Sequence, residues 1–103
     1  MKEVDYFAAI YEILPMIPAG FVATYGQLAY LAGFPQAPRI AGRALAYAPG
    51  GLPCHRVVNS QGRTAPHFLE QRALLEQEGV VFKENGCVNL KLHLWNPFSN
   101  ESI

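Results

Sequence analysis

Residues Thr24–Tyr47, TYGQLAYLAGFPQAPRIAGRALAY, are the most informative about the fold. Thr24 is a favourable helix N-cap, and Gln27 three residues later completes the capping-box pattern of a first short helix that ends at Gly33. A tight turn follows, and Pro38 suits the first turn of a second helix that runs to about Tyr47. Two short helices joined in this way predict a helix-turn-helix.

Predicted elements on both sides of this stretch complete a small domain. Upstream, Tyr6–Leu14 predicts a supporting helix, because its apolar residues fall on one face and Pro15 stops it. Downstream, the pattern predicts a strand at 57–58, a helix at 67–78 with Leu69 available for the core, and a hairpin that pairs 80–82 with 88–90 across an Asn-Gly turn. We therefore expect one domain over residues 1–103, with its core at about 6–97, that is mainly α with a small β element and a winged helix-turn-helix outline.

Composition and cysteine usage describe an ordered protein with a single core. The 103 residues suffice for one hydrophobic core, and 50% hydrophobic with 16% charged residues argues against disorder. No apolar run approaches the length of a membrane span, and the first residues do not resemble a signal peptide. Two cysteines make no disulfide scaffold, and the cysteines and histidines lack paired zinc-ligand spacing. We therefore expect a cytoplasmic protein with no membrane contact and no metal site.

The charges sum to zero over the chain but are unevenly distributed. Residues 1–12 carry a net charge of −2, and so do residues 70–103. Residues 13–69 have no acidic side chain and a net charge of +4, from Arg39, Arg43, Arg56 and Arg63. This middle segment can attract phosphates locally. Four arginines scattered over a solvated surface are the simpler alternative.

The segment Pro53-Cys54-His55-Arg56-Val57 has the clearest chemistry. It places a thiol next to an imidazole, and a neighbouring histidine is a common way to generate the reactive thiolate near neutral pH. The alternative is that Cys54 is a buried, inert cysteine that behaves as a small hydrophobe. These five residues alone leave both interpretations open.

Four segments, in order along the chain, resemble the O6-alkylguanine-DNA alkyltransferase family. Pro53–Val57 resembles its acceptor-cysteine motif, and Phe21–Ala29, with Thr24-Tyr25, resembles its first DNA-binding helix. Arg39–Leu45 resembles its arginine-led recognition helix, and Leu74–Gly79 resembles the helix that supplies a glutamate to the Cys-His pair. The resemblance runs from about Tyr6 to Pro97.

The resemblance implies a DNA repair protein that acts once. Such a protein binds duplex DNA from the minor groove, flips O6-alkylguanine out of the stack and transfers the alkyl group irreversibly to Cys54. His55 is the implied base, acting through a water, and Glu78 is the implied carboxylate that orients the imidazole. We expect a monomer that needs no cofactor, with lesion-containing double-stranded DNA as its partner.

The resemblance also implies the residues that hold the lesion. Arg39 matches the arginine that fills the space left by the flipped base, and Tyr25 matches the tyrosine that helps to rotate the nucleotide and donates a hydrogen bond to it. An ordinary surface arginine and a core tyrosine with a satisfied hydroxyl are the simpler interpretations.

Small residues on the recognition helix allow a close approach to the groove. Ala41 and Gly42 have this role in our interpretation, although tight packing between helices would explain them equally well. Arg43 lies on the same predicted helix and adds positive charge for the DNA. The backbone carbonyls of Cys54 and Val57 are the expected acceptors for the amino group of the guanine.

The loop after the acceptor motif departs from the active enzymes. Residues 59–66 lack the Gly-Tyr-x-Gly-Gly segment that closes over the lesion in those enzymes. In this loop the chain resembles the alkyltransferase-like proteins instead. Those proteins bind O6-alkylguanine, transfer nothing and direct the lesion to nucleotide excision repair. Those proteins typically lack the acceptor cysteine, whereas this chain keeps Cys54. A lesion-binding protein with nucleotide excision repair partners is therefore the alternative function. A winged-helix regulator with an inert cysteine is a third.

Overall fold

The computed structural model describes residues 3–98. In chain order the elements are α1 (Glu3–Ile13), a 3-10 turn (Leu14–Met16), β1 (Ala23–Thr24), α2 (Tyr25–Leu31), α3 (Pro38–Ala46), a second 3-10 turn (Cys54–Arg56), β2 (Val57–Val58), α4 (Gln71–Gln77) and α5 (Leu90–His93). The prediction of a mainly α fold with a small β element is confirmed. Residues 1–2 and 99–103 of the expected domain lie outside the described residues. No helix between residues 3 and 98 is long and apolar enough to cross a membrane.

The predicted helix-turn-helix is present as α2 and α3. The Thr24 hydroxyl accepts a hydrogen bond from the Gln27 N–H at 3.1 Å, and the Gln27 side-chain oxygen accepts one from the Thr24 N–H at 3.0 Å. This reciprocal pair is the predicted capping box. Gly33, with a φ of +97°, turns the chain after α2, and α3 begins at Pro38 as expected.

The main core lies among α1, α2 and α3. Its fully buried members include Ile10 in α1, Leu14 in the 3-10 turn that follows and Leu28 in α2. The Tyr11 hydroxyl of α1 donates to the Ala44 carbonyl at 2.7 Å and so ties α1 to the last turn of α3. The predicted supporting helix therefore holds the recognition helix by both apolar packing and a hydrogen bond.

A two-residue parallel sheet joins the helix-turn-helix to the cysteine motif. Ala23 pairs with Val57, and Thr24 pairs with Val58. Tyr25 follows β1 directly, while the Cys54–Arg56 turn leads directly into β2. The short ladder therefore brings the first residue of α2 and the cysteine motif to one place. The sequence predicted extended backbone in both segments but not their pairing.

The predicted helix over 67–78 is wrong at its start, because α4 begins only at Gln71. The preceding residues form successive tight turns, in which the Phe68 N–H bonds to the Ala65 carbonyl and the Gln71 N–H bonds to the Phe68 carbonyl. Each bond spans three residues, so the backbone is not yet α-helical. As a result Leu69 points to solvent with 87% of its surface exposed, and the prediction that it supplies the core is wrong.

The predicted hairpin is present but shorter than expected. It contains one antiparallel bridge, between Phe82 and Val88, closed by a Lys83 N–H bond to the Cys87 carbonyl at 2.8 Å. Pairing stops there because the chain turns into α5 at Leu90.

Candidate functional site

A cavity of about 330 Å³ opens where the helix-turn-helix meets the cysteine motif. Its walls are the first residue of α2, one face of α3, the motif around Cys54 and the chain between Ala65 and Gln71. The volume lies in the range of about 300–1,000 Å³ that is usual for sites of small organic ligands. The parallel ladder creates this cavity, because it sets Tyr25 beside the motif.

Cys54 and Tyr25 face the cavity together. Both side chains are half-buried, and burial raises the pKa of the Cys54 thiol. Burial also raises the pKa of Tyr25, and the nearby Cys54 acts in the same direction. At neutral pH Tyr25 is therefore a hydrogen-bond donor, and Cys54 is a thiol that needs a base before it can act as a nucleophile.

Next to the cysteine, His55, Arg56 and Glu78 form a compact charged network. The Glu78 carboxylate contacts the His55 Nε2 at 2.8 Å and accepts two hydrogen bonds from the Arg56 guanidinium, at 2.7 and 2.9 Å. Arg56 also donates to the Ile17 carbonyl at 2.9 Å, which anchors the network to the turn after α1. Because His55 uses Nε2 for Glu78, Nδ1 is the ring nitrogen that remains for proton exchange with the thiol, directly or through water.

Glu78 is held in its charged form. The hydrogen bonds from Arg56, followed by the contact with His55, lower the pKa of Glu78 to about 2, against the opposing effect of partial burial. The site therefore contains a fixed negative charge beside the imidazole at all physiological pH values. Glu78 is the C-cap of α4, and the chain turns sharply at Gly79, which has a φ of +89°.

Three of the expected DNA-contacting residues of α3, Arg39, Gly42 and Arg43, are not buried in the core. Arg39 and Arg43 are exposed, and Arg39 borders a shallow depression that it shares with Tyr25, Pro38 and Gly42. Gly42 lines both this depression and the larger cavity, and a Cβ there would meet no atom within 4 Å. The exposed face of α3 thus continues into the cavity.

The Ala41 side chain is fully buried in the core between the helices. Its small size therefore serves helix packing, and a contact between its backbone and DNA stays a prediction. Gly42, one position further along α3, is the small residue that faces outward.

The Val57 carbonyl, an expected acceptor, already has a partner that the sequence analysis missed. The buried Gln71 side chain donates to this carbonyl at 2.7 Å, and both residues line the cavity. A signal for its burial exists in the sequence, because Gln71 lies four residues before the buried Leu75 and so on the core face of α4.

Among the described residues, no group of three or more His, Cys, Asp or Glu side chains could hold a metal ion.

Comparison with known proteins gives the chain a family. The family model for the DNA-binding domain of 6-O-methylguanine DNA methyltransferase matches residues 5–80. The DNA base-flipping protein of Escherichia coli (strain K12) is 41% identical over 100 residues, which cover 92% of this chain and 78% of that protein. Alkyltransferase-like protein 1 of Schizosaccharomyces pombe is 30% identical over 108 residues, covering 94% of this chain and 100% of that protein.

Solved structures give the same result for the fold. S. pombe Atl1, in complex with damaged DNA containing O6-carboxymethylguanine, superimposes with a TM-score of 0.82 at 30% identity, covering 94% of this chain and all of that one. Mycobacterium tuberculosis OGT, in complex with DNA, gives a TM-score of 0.68 at 34% identity, covering 73% of this chain and 49% of that one. The alkyltransferase-type domain implied by the sequence resemblance is thereby confirmed.

Proposed function

This chain belongs to the family of the 6-O-methylguanine DNA methyltransferase DNA-binding domain, and we propose that it binds O6-alkylguanine in duplex DNA. In this proposal it flips the base into the cavity and transfers the alkyl group irreversibly to Cys54. One observation carries the proposal: Cys54 lies in the wall of a base-sized cavity, and its neighbour His55 is held by a charged Glu78. A thiol, a base and an orienting carboxylate are the parts that nucleophilic catalysis requires.

Base flipping is supported by the exposed face of α3. The O6 substituent lies at the major-groove edge, so a protein bound in the minor groove reaches it only by extruding the base, which costs a few kcal/mol of stacking and pairing. Arg39 borders the depression next to the cavity, so its planar cation can occupy the space that the base leaves and stack there. Gly42 lies between the depression and the cavity and has no side chain, which leaves a path for the nucleotide into the cavity.

The transfer itself is a one-step displacement. His55 takes the thiol proton through Nδ1 by way of a water, and the Cys54 sulfur attacks the alkyl carbon while the bond from that carbon to O6 breaks. The electron pair of the broken bond stays on the guanine, which takes up one proton and is restored. Tyr25 can donate a hydrogen bond to the base as this negative charge develops, since its raised pKa keeps the hydroxyl protonated.

The Glu78 charge fits this proton transfer. An imidazole that accepts a proton becomes a cation, and a carboxylate 2.8 Å from its other nitrogen stabilises that cation and fixes the ring. Arg56 keeps the carboxylate in place with its two-point contact. The product is a thioether that has no hydrolytic exit, so each protein molecule reacts once.

A labelled substrate tests the proposal. A duplex with a tritiated methyl group on O6-methylguanine is incubated with excess protein, and label is counted in the protein and in the DNA. We expect stoichiometric transfer to the parent protein, and none to the Cys54→Ala variant. Cys87→Ala is the matched control, because Cys87 is buried in the hairpin away from the cavity lining, and it should react like the parent. Label that stays on the DNA contradicts the transfer step.

Lesion binding without transfer is the second candidate function. The observation that favours it is the burial of Cys54, which raises the thiol pKa and so opposes thiolate formation. In that case the protein would bind the O6-methylguanine duplex more tightly than undamaged DNA, leave the methyl group in place and present the lesion to nucleotide excision repair proteins. Equal affinity for damaged and undamaged duplexes would contradict both candidates and favour a winged-helix regulator.

A further inference from the structure

A buried glutamine, Gln71, connects the two sides of the cavity. Its side chain is 1% exposed, and no other polar or charged side chain among the described residues is as fully buried. Its amide nitrogen donates to the carbonyl oxygens of Val57 at 2.7 Å and His55 at 3.0 Å. Its amide oxygen accepts from the Ala65 N–H at 2.8 Å. One side chain therefore ties the segment after Cys54 to the short loop that forms the facing wall.

These three hydrogen bonds occupy both N–H donors and the oxygen of the amide. A buried amide is costly unless its polar groups are paired, and here all of them are. An apolar side chain of similar size would fill this position in the core without any such requirement. The specific contribution of Gln71 is therefore the direction in which it holds the backbone carbonyls at His55 and Val57.

The geometry points to Gln71 as a positioning residue, which orients the Val57 carbonyl as the acceptor for the 2-amino group of the flipped guanine. This inference rests on the proposed function, because it needs the base in the cavity. A carbonyl oxygen has two lone pairs. Gln71 occupies one, and Val57 lines the cavity, so the other is available to a bound base. The peptide plane cannot turn while the buried amide holds its oxygen, so the acceptor direction is set before the lesion arrives.

Selectivity for guanine follows from this arrangement. A site that bonds one substrate group favours the substrate that carries this group, because the analogue that lacks it forms one hydrogen bond fewer inside the cavity. O6-methylhypoxanthine has the same methoxy group as O6-methylguanine but no 2-amino group. The two lesions therefore differ at the one position that the Val57 carbonyl would contact.

The test compares affinities for two duplexes that differ only in this amino group. It uses the Cys54→Ala background, so that no alkyl group is transferred during the titration. With Gln71 present we expect the guanine lesion to bind about tenfold more tightly, which corresponds to about 1.4 kcal/mol. Gln71→Met has a similar length and no donors, and should reduce the preference to below about twofold. Gln77→Met, at an exposed position of the same helix, is the matched control and should keep the preference.

A second variant covers the case in which the methionine variant does not fold. Gln71→Leu fills the same position with a shorter apolar side chain and has no hydrogen-bond donor, so it should also lose the preference. A merely structural role would weaken binding to both lesions equally and leave their ratio unchanged. That result overturns the inference, as does equal affinity of the parent for both lesions. A protein that prefers neither lesion over undamaged DNA instead contradicts the proposed function itself.

Discussion

Replacing Glu78 by glutamine removes the charge that holds the network beside Cys54 while keeping the shape of the side chain. The contacts with Arg56 and His55 lower the pKa of Glu78 from an ordinary value of 4.5 to about 2. Each unit of this difference corresponds to about 1.36 kcal/mol, so its upper limit is about 3.4 kcal/mol. The Glu78 side chain is 17% exposed, and solvent screening reduces the contribution, so we expect a loss of about 1–2 kcal/mol in the free energy of unfolding at pH 7.

The pH dependence of this loss has a defined sign. Because the folded state lowers the pKa of Glu78, the carboxylate stabilises the protein fully at pH values above about 4.5. As the pH falls towards about 2, the carboxylate becomes protonated in the folded state too, and its contribution is lost. The difference between the parent and the Glu78→Gln variant should therefore shrink across this window and approach zero at its lower end.

Urea unfolding at a series of pH values between 7 and 2 measures this difference directly. Glu76→Gln is the matched control, because Glu76 lies on the same helix and forms an ion pair with Arg72 in which both side chains are half exposed. We expect this control to change the free energy of unfolding by less than about 0.5 kcal/mol. A difference for Glu78→Gln that is absent at pH 7, or that stays constant down to pH 2, refutes the reasoning.

Two further predictions concern DNA binding and helix capping. Arg39→Ala and Tyr25→Ala should each weaken binding to an O6-methylguanine duplex about tenfold or more, as measured by fluorescence anisotropy. Each variant removes a side chain that borders the proposed path of the flipped base. Parent-like affinity of both variants would contradict base flipping. Thr24→Ala should lower the free energy of unfolding by about 1 kcal/mol in urea denaturation, because it removes the N-cap of α2. An unchanged value would mean that the capping box does not stabilise the helix.

The helix-turn-helix could be predicted from the sequence because its determinants are local. The Thr24 and Gln27 side chains form the capping box within one turn of helix, and Pro38 begins α3. Gly33 turns the chain between them. Each of these signals depends on residues that are at most a few positions apart, so no knowledge of the tertiary structure was needed.

Contacts between distant segments were harder to predict. Cys54 and His55 are neighbours in the chain, but the sequence alone could not pair His55 with Glu78, and only the family resemblance implied it. The two-point contact between Arg56 and Glu78 was not foreseen. Gln71 was missed because a glutamine within a helix ordinarily faces solvent, and its three backbone partners become visible only when the loop and the motif are folded together.

The start of α4 shows why a periodic pattern can mislead. Leu69 is apolar and was expected in the core, yet the turns at residues 65–71 rotate it into solvent. Those turns follow from main-chain hydrogen bonds, from the Phe68 N–H to the Ala65 carbonyl and from the Gln71 N–H to the Phe68 carbonyl. For Ala41 the sequence left close approach to DNA and helix packing equally open, and the structure shows its side chain in the core.

The intact mass of the protein after incubation with excess duplex carrying one O6-methylguanine tests the central claim most directly. We expect one methyl group to replace the thiol hydrogen, and peptide mapping to place it on Cys54. A protein of unchanged mass that binds the same duplex tightly and selectively would contradict alkyl transfer. That result would make this chain a lesion-binding protein whose cysteine does not react.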